Sequence, residues 1–473
     1  MKKRKSKDEL LSLIRDGMPM TRGEQLRLTA VLSVPAVMAQ ISTIVMQYID
    51  AAMVGSLGAR ASASIGIVST TTWLFFGLCA AVVMGFSVQV AHLIGAGRRD
   101  EARRVLQQSL VFTQIFSAVL LVAGCAVSGV LPYWLGGEEA IAADASAYFL
   151  VFSLSLPFLQ LNYLAGGMLR STGNIFVPGA LNVLMCLLDV VFNRFLIFPS
   201  EDVEMLGLVV HIPGADLGVT GAAIGTALAE VVTGLLMMWF LYYRSPELRL
   251  TGVKKSFRLT SDIMRRAVRI GTPLSFEHVV VCGAQILTTV IVAPLGMHAI
   301  SANAFAITAE ALCYMPGFGI ADAATTLVGQ SLGAGRKELA RRFAYITVGV
   351  GMGVMTVMGV VMYVAAPLMM GVFTPDETIR SLGVTALRTE AFAEPMFAAS
   401  IVAYGVFVGA GDTLVPSCMK LVSIWGVRLT LAAALAPSMG LHGVWIAMCI
   451  ELCFRGVIFL VRLHRGKWLD KWK

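Results

Sequence analysis

The chain has 473 residues, of which 57% are hydrophobic and only 14% charged, with a formal net charge of +8 and a mean hydropathy of +0.77. A soluble domain carries about 25% charged residues and has no way to hide this much apolar surface. The composition excludes a soluble enzyme or nucleic-acid-binding domain and predicts a polytopic membrane protein, with apolar runs of spanning length along the whole chain.

In chain order, the basic segment 1–28 comes first. It lacks the apolar core and cleavage site of a secretory signal, and its Leu10, Leu11, Leu13 and Ile14 predict a short amphipathic turn on the membrane surface. Twelve spans follow, at 29–54, 63–92, 104–130, 142–168, 175–198 and 217–243, then 264–291, 300–331, 339–368, 382–408, 414–437 and 441–463. These divide into a first six-helix lobe (29–243), a polar, basic linker (244–263), a second lobe (264–463) and a tail (464–473). Thirty of the 37 Lys and Arg residues fall on the side that holds the amino terminus, which predicts both termini in the cytoplasm of a cell with this protein in its inner membrane. The basic balance is therefore topological, and no nucleic-acid partner is expected. The eight cysteines lie in apolar runs without CxxC spacing and read as small core residues.

The second lobe repeats the first. "LIGAGRRDEARR" (93–104) recurs as "SLGAGRKELARR" (331–342), displaced by 238 residues. The same displacement carries Pro35 onto Pro273, Gly58 onto Gly296, Gly173 onto Gly411 and Pro178 onto Pro416. Gly218 and Gly221 then meet Gly440 and Gly443 at 222, so the first lobe holds about 16 extra residues near 199–216. Because each half has an even number of spans, the halves run parallel about an axis along the membrane normal. The expected fold is an all-α membrane protein of 12 transmembrane helices in two pseudo-two-fold-related bundles, which is the plan of a secondary transporter. "GQSLGAGRK" (329–337) fails as a nucleotide phosphate loop because Ala334 stands where a glycine is required. No cofactor is expected, and energy is expected from an ion gradient.

Charges inside spans are functional hypotheses. Asp50 and Asp189 lie in the first lobe with Asn193 one turn beyond Asp189 and Thr226 in the next span. Two carboxylates sharing a dry site cannot both ionise cheaply, so this group suits a proton or a sodium ion. Pro35, 15 residues before Asp50, offers a helix bend, and Pro273 is its repeat partner. In the second lobe the candidate acids are Glu277, Glu310 and Asp322, with His278, His298 or an arginine as the plain alternative partners. Glu451 and Arg455 read as a structural pair, Lys420 as a side chain reaching to the interface, and Glu230 as undecided between function and structure.

The opening around Pro35, Asp50, Val54-Gly55 and Leu57-Gly58, the two "GAGR" elbows, "RSTGN" (170–174), "GAGDT" (409–413) and the pair "LGVTGAAIGT" and "MGLHGVWIA" together resemble the multidrug and toxic compound extrusion (MATE) family, in its bacterial, DinF/NorM-like form. The resemblance spans the whole chain. It implies a V-shaped two-lobed exporter of organic cations or amphiphiles in exchange for H⁺ or Na⁺ by alternating access; the expected partners are those cargoes and membrane lipids, and a monomer is expected. It also places Asp50, Asp189 and Thr226 on the family's first-lobe cation site, with possible Na⁺ at Asp50 and Asp189. Met185 stands where relatives often have an asparagine, and "FAASIVAYG" (397–405) has no aspartate where some relatives use one. A lipid-linked oligosaccharide or lipid flippase of the same broader plan is the alternative. A membrane-embedded enzyme lacks any HExxH or GxSxG element here.

Overall fold

The computed structural model describes residues 5–205, 208–251 and 258–472. Its helices are α1 (Lys7–Arg15), α2 (Arg22–Gly55), α3 (Ala59–Gly95), α4 (Arg99–Val127), the single turn α5 (Leu131–Trp134), α6 (Glu139–Ser171), α7 (Phe176–Ile197) and α8 (Gly218–Trp239) in the first half. The second half contains α9 (Ser261–Val292), α10 (Met297–Gly333), α11 (Lys337–Phe373), α12 (Glu377–Glu390), α13 (Glu394–Gly409), α14 (Leu414–Val422) and α15 (Thr430–Arg465). Among the described residues, ten helical segments are long and apolar enough to cross a membrane, and α12 with α13 makes a further crossing bent by 61°. The segment Leu414–Arg465 accounts for two crossings. Its backbone leaves helical geometry at Gly440 (φ 61°, ψ −143°), and Arg428 and Glu451 then meet at 2.7 Å across the resulting hairpin. The total is twelve.

Span ten differs from the continuous helix expected over 382–408. It breaks at Ala391–Ala393, because Pro395 at the start of α13 lacks the N–H that would continue the preceding helix. The extra residues of the first lobe form an antiparallel hairpin, β1 (Pro199–Met205) with β2 (Leu208–Ala215). Cys418 is exposed, unlike the inward position expected for it, while Cys79, Cys186 and Cys313 are buried.

The duplication reaches the backbone. Eight of the eleven positive-φ glycines among the described residues fall in pairs: Gly58 with Gly296, Gly97 with Gly335 and Gly173 with Gly411 at the displacement of 238, and Gly218 with Gly440 at 222. Both elbows end their helices alike. Arg98 N–H donates to the Leu93 carbonyl and Arg336 N–H to that of Ser331, each at 2.9 Å, closing a reversed turn that needs a left-handed residue at Gly97 (φ 74°) and Gly335 (φ 72°). α1 and the carboxyl-terminal tail lie at this same elbow face. Arg336 reaches the Leu13 carbonyl, Lys337 pairs with Asp470, and Trp472 stacks on His92 at 3.8 Å.

The lobes meet through swapped partners, as a two-fold axis requires. α2 of the first lobe packs on α10 of the second, α3 packs on α9, and α3 crosses α10 near the axis. At that crossing a Cβ on Gly95 would strike the Gln330 carbonyl and one on Gly333 would strike that of His92. Further hydrogen bonds seal the elbow face between lobes: Gln330 Nε2 to Ser171 O (2.8 Å), Thr326 Oγ1 to Arg170 O (3.1 Å) and His92 Nε2 with Gly409 O (2.7 Å). α2 runs unbroken through Pro35 and α9 through Pro273. The Pro35–Val37 turn of α2 is gripped between Gly179 of α7 and Gly319 of α10.

Candidate functional site

In the first lobe, α2, α7 and α8 bring the four expected residues together. Asp189 and Asn193 are fully buried, one turn apart on α7, and Asp50 approaches from the far half of α2. Asn193 Nδ2 bridges the two acids, donating to Asp50 Oδ1 at 2.9 Å and to Asp189 Oδ2 at 3.2 Å. The Asp50 carboxyl and Thr226 both lie beside Asp189. Gly225 makes this approach possible, since a Cβ there would run into Asn193 Oδ1. Asp189 Oδ1 and Asn193 Oδ1 are buried and receive no hydrogen bond from the described residues. An unmade bond at a buried acceptor costs about 1–3 kcal/mol, and here two such oxygens lie beside two carboxylates. Among the described residues the constellation is rich in acceptors and has no positively charged side chain in contact with it.

Two neighbours extend this group. Glu230, one turn beyond Thr226 on α8, is buried and receives a long 3.5 Å contact from Ser155 Oγ. Met185 Sδ faces the Asn162 amide of α6 at 3.6 Å, so a polar group approaches Met185 from another helix.

The three second-lobe candidates are not brought together. Glu277 is closed off by Lys420 at 2.7 Å and by the Tyr404 hydroxyl, so Lys420 does not reach to the interface as expected but neutralises a carboxylate. Asp322 lies 3.9 Å from Arg170 across the lobe boundary. Glu310 lines a cavity of about 130 Å³ together with Asn303, Tyr314, Phe397, Arg428 and Trp445. The histidines serve none of these acids: His278 bonds the Trp73 carbonyl at 3.0 Å and His298 lies 3.9 Å from Asp376.

Residues overlooked in the sequence are prominent here. Glu390 and Glu394 flank the break between α12 and α13, both fully buried, and none of their four carboxylate oxygens has a partner among the described residues. Broken spans that bury acids are where transporters place ion sites. The available signal was the run "TEAFAEP" (389–395), two acids and a proline inside an apolar span. Beside them Glu451 takes Arg428 at 2.7 Å, Ser423 Oγ at 2.6 Å and Arg455 at 3.3 Å. The expected pairing of Glu451 with Arg455 is present, with Arg428 the closer partner. Ser423 and Arg428 both lie in one π-helical stretch, Ser423–Leu429, whose wider turn lets residues five apart reach the same carboxylate. Removing one member of a buried ion pair strands the other. Glu451→Ala, which leaves both Arg428 and Arg455 without a carboxylate, is therefore expected to destabilise the protein by about 3–5 kcal/mol, read as a lowered thermal midpoint in detergent, and adding Arg428→Met and Arg455→Met should recover much of it.

Two parallel six-helix bundles of spanning length, each burying acids with no basic side chain in contact among the described residues, have the plan of a membrane transporter. The chain belongs to the MatE family, whose model matches residues 35–195 and again 273–433, beginning at Pro35 and Pro273 with both bounds displaced by 238. Among curated relatives it is 27% identical over 464 residues to the probable multidrug resistance protein NorM of Thermotoga maritima, covering 97% of this chain and 96% of that one. It is 28% identical over 459 residues to the same-named protein of Deinococcus radiodurans, covering 94% and 97%. Solved structures share the fold. A MOP superfamily transporter from Pyrococcus furiosus superposes with a TM-score of 0.87 at 20% identity, covering 99% of this chain and all of that one. The Vibrio cholerae MATE transporter VcmN superposes at 0.86 with 18% identity, covering 95% and 99%.

Proposed function

We propose that the protein is a multidrug exporter of the inner membrane that expels organic cations or amphiphiles in exchange for H⁺ or Na⁺ by alternating access, as a monomer with its elbow face and both termini in the cytoplasm. The observation that carries this reading is the Asp50–Asn193–Asp189 bridge with its two unsatisfied buried oxygens. Binding a proton or cation there removes repulsion between α2 and α7. Releasing it restores that repulsion, and α2 passes it to the Pro35 turn held by α7 and α10. The relatives named as multidrug resistance proteins support the efflux reading, and the Lys and Arg asymmetry supports the orientation. The sealed elbow face supplies the gate, with Asp322 and Arg170 as a charge pair across it.

A flippase cleft needs free cations for a pyrophosphate headgroup. Here Lys420 sits on Glu277, Arg428 and Arg455 on Glu451, and Arg194 on Glu201, while Glu310, Glu390 and Glu394 have no basic partner in contact among the described residues. The polarity favours a cationic cargo. The test is uptake of a fluorescent lipophilic cation into proteoliposomes under an imposed pH or Na⁺ gradient. Accumulation driven by one gradient and absent without it is expected and names the coupling ion, and no gradient-driven accumulation under either would overturn the proposal.

A further inference from the structure

The apolar stripe of α1 has a protein partner in place of the lipid surface expected for it. Ser6 and Glu9 cap the helix reciprocally, Glu9 N–H to Ser6 Oγ at 3.2 Å and Ser6 N–H to Glu9 Oε2 at 2.6 Å. Leu10, Leu11 and Ile14 are at most 2% exposed. They share one cluster with Leu28, Leu32 and Ile175 from the first lobe and with Leu327, Leu339 and Phe343 from the second. Leu11 lies so close over Gly173 (φ 89°) that a Cβ there would meet it. Polar ties secure both sides of the seat. Arg336 Nη1 of the second lobe donates to the Leu13 carbonyl at 2.8 Å, and Arg15 pairs at 2.6 Å with Glu247 of the linker, which also holds Arg99 at the first elbow. The short connection 16–21 joins α1 to α2, so it is tethered to the first lobe while bonded to the second.

From this seating we propose that α1 is a latch on the cytoplasmic gate, holding the lobes together in the sealed state and leaving its seat when that side opens. The inference rests on the alternating-access reading above. The walls of the seat belong to both lobes, so no separation of the lobes at the elbow face keeps Leu10, Leu11 and Ile14 buried. Once released, the same stripe, flanked by Lys5, Lys7 and Arg15, suits the lipid surface. The latch thus biases an equilibrium between two seats for one helix.

The reporter is Ser331→Cys, a fully buried position at the α3–α10 crossing. Its labelling by a membrane-impermeant maleimide in inside-out vesicles would be quantified on its own peptide, leaving the native thiols in place. Adding Leu11→Asp is expected to raise the labelling rate at least about threefold by favouring the unlatched population. In a second variant, Leu13→Cys and Arg336→Cys joined by a short cleavable cross-linker are expected to hold labelling low and stop transport until the link is cleaved. Labelling unchanged by Leu11→Asp, or cross-linked protein transporting at the uncross-linked rate, would overturn the latch. If the wild type moves no cation while Leu11→Asp still raises labelling, the latch stands and the cargo assignment falls.

Discussion

Asp50→Asn is expected to abolish gradient-driven cation accumulation while leaving the protein as stable as the wild type or more so. The substitution keeps the shape of the side chain and removes one of the two charges bridged by Asn193. The remaining group has one carboxylate fewer to neutralise, which relieves the like-charge cost of the site. Its exchangeable charge is gone as well, so ion binding no longer alters the force between α2 and α7. A variant that melts at or above the wild-type temperature yet shows no uphill transport in proteoliposomes is the predicted pair of results. Asn193→Leu separates bridge from charge: it strips a donor from both aspartates and should cost about 1–3 kcal/mol of stability along with coupling. If Asp50→Asn retains gradient-driven accumulation, the coupling belongs to Glu310, Glu390 and Glu394 of the second lobe.

Much of the architecture was legible because it rests on local patterns. Twelve apolar runs, the displacement of 238 and the glycines that end helices are all written within short windows, and the backbone repeats them at Gly97 and Gly335. The first-lobe group was legible because Asp189, Asn193 and Thr226 lie on sequential spans and Asp50 has no basic residue one turn away. Partner choice over long separations was not legible. Lys420 finds Glu277 143 residues away, and Arg428 finds Glu451 across a hairpin that only Gly440 creates. α1 was misplaced for a different reason: a stripe of Leu10, Leu11 and Ile14 suits a lipid surface and an interlobe groove equally, and periodicity has no means to tell them apart. Glu390 and Glu394 were passed over as part of one continuous span, although Pro395 marks its break.

The second large effect is expected from Gly333→Val at the α3–α10 crossing. A β-carbon at Gly333 would strike the His92 carbonyl, and one at Gly95 the Gln330 carbonyl, so the two positions play the same part on either side of the pseudo-two-fold axis. The obstacles are backbone atoms that no rotamer change can move, and close helix approach in membranes depends on small residues at such points. Each lobe has its own core extending well beyond this crossing, one around Phe86, Leu106 and Met168 and another around Met362, Met370 and Trp445. The variant should therefore fold and insert but fail to seal the elbow face, losing the His92–Gly409 and Gln330–Ser171 bonds with the crossing. Transport should fall by about two orders of magnitude, the cost of losing a few kcal/mol of one gate state, with raised maleimide labelling of Ser331→Cys. Gly349→Ala is the matched control, because that helical position has open space around it and alanine there should be neutral or stabilising by about 1 kcal/mol. Wild-type transport by Gly333→Val would show that the crossing stays open through the cycle and that the gate lies elsewhere, at Arg170 and Asp322.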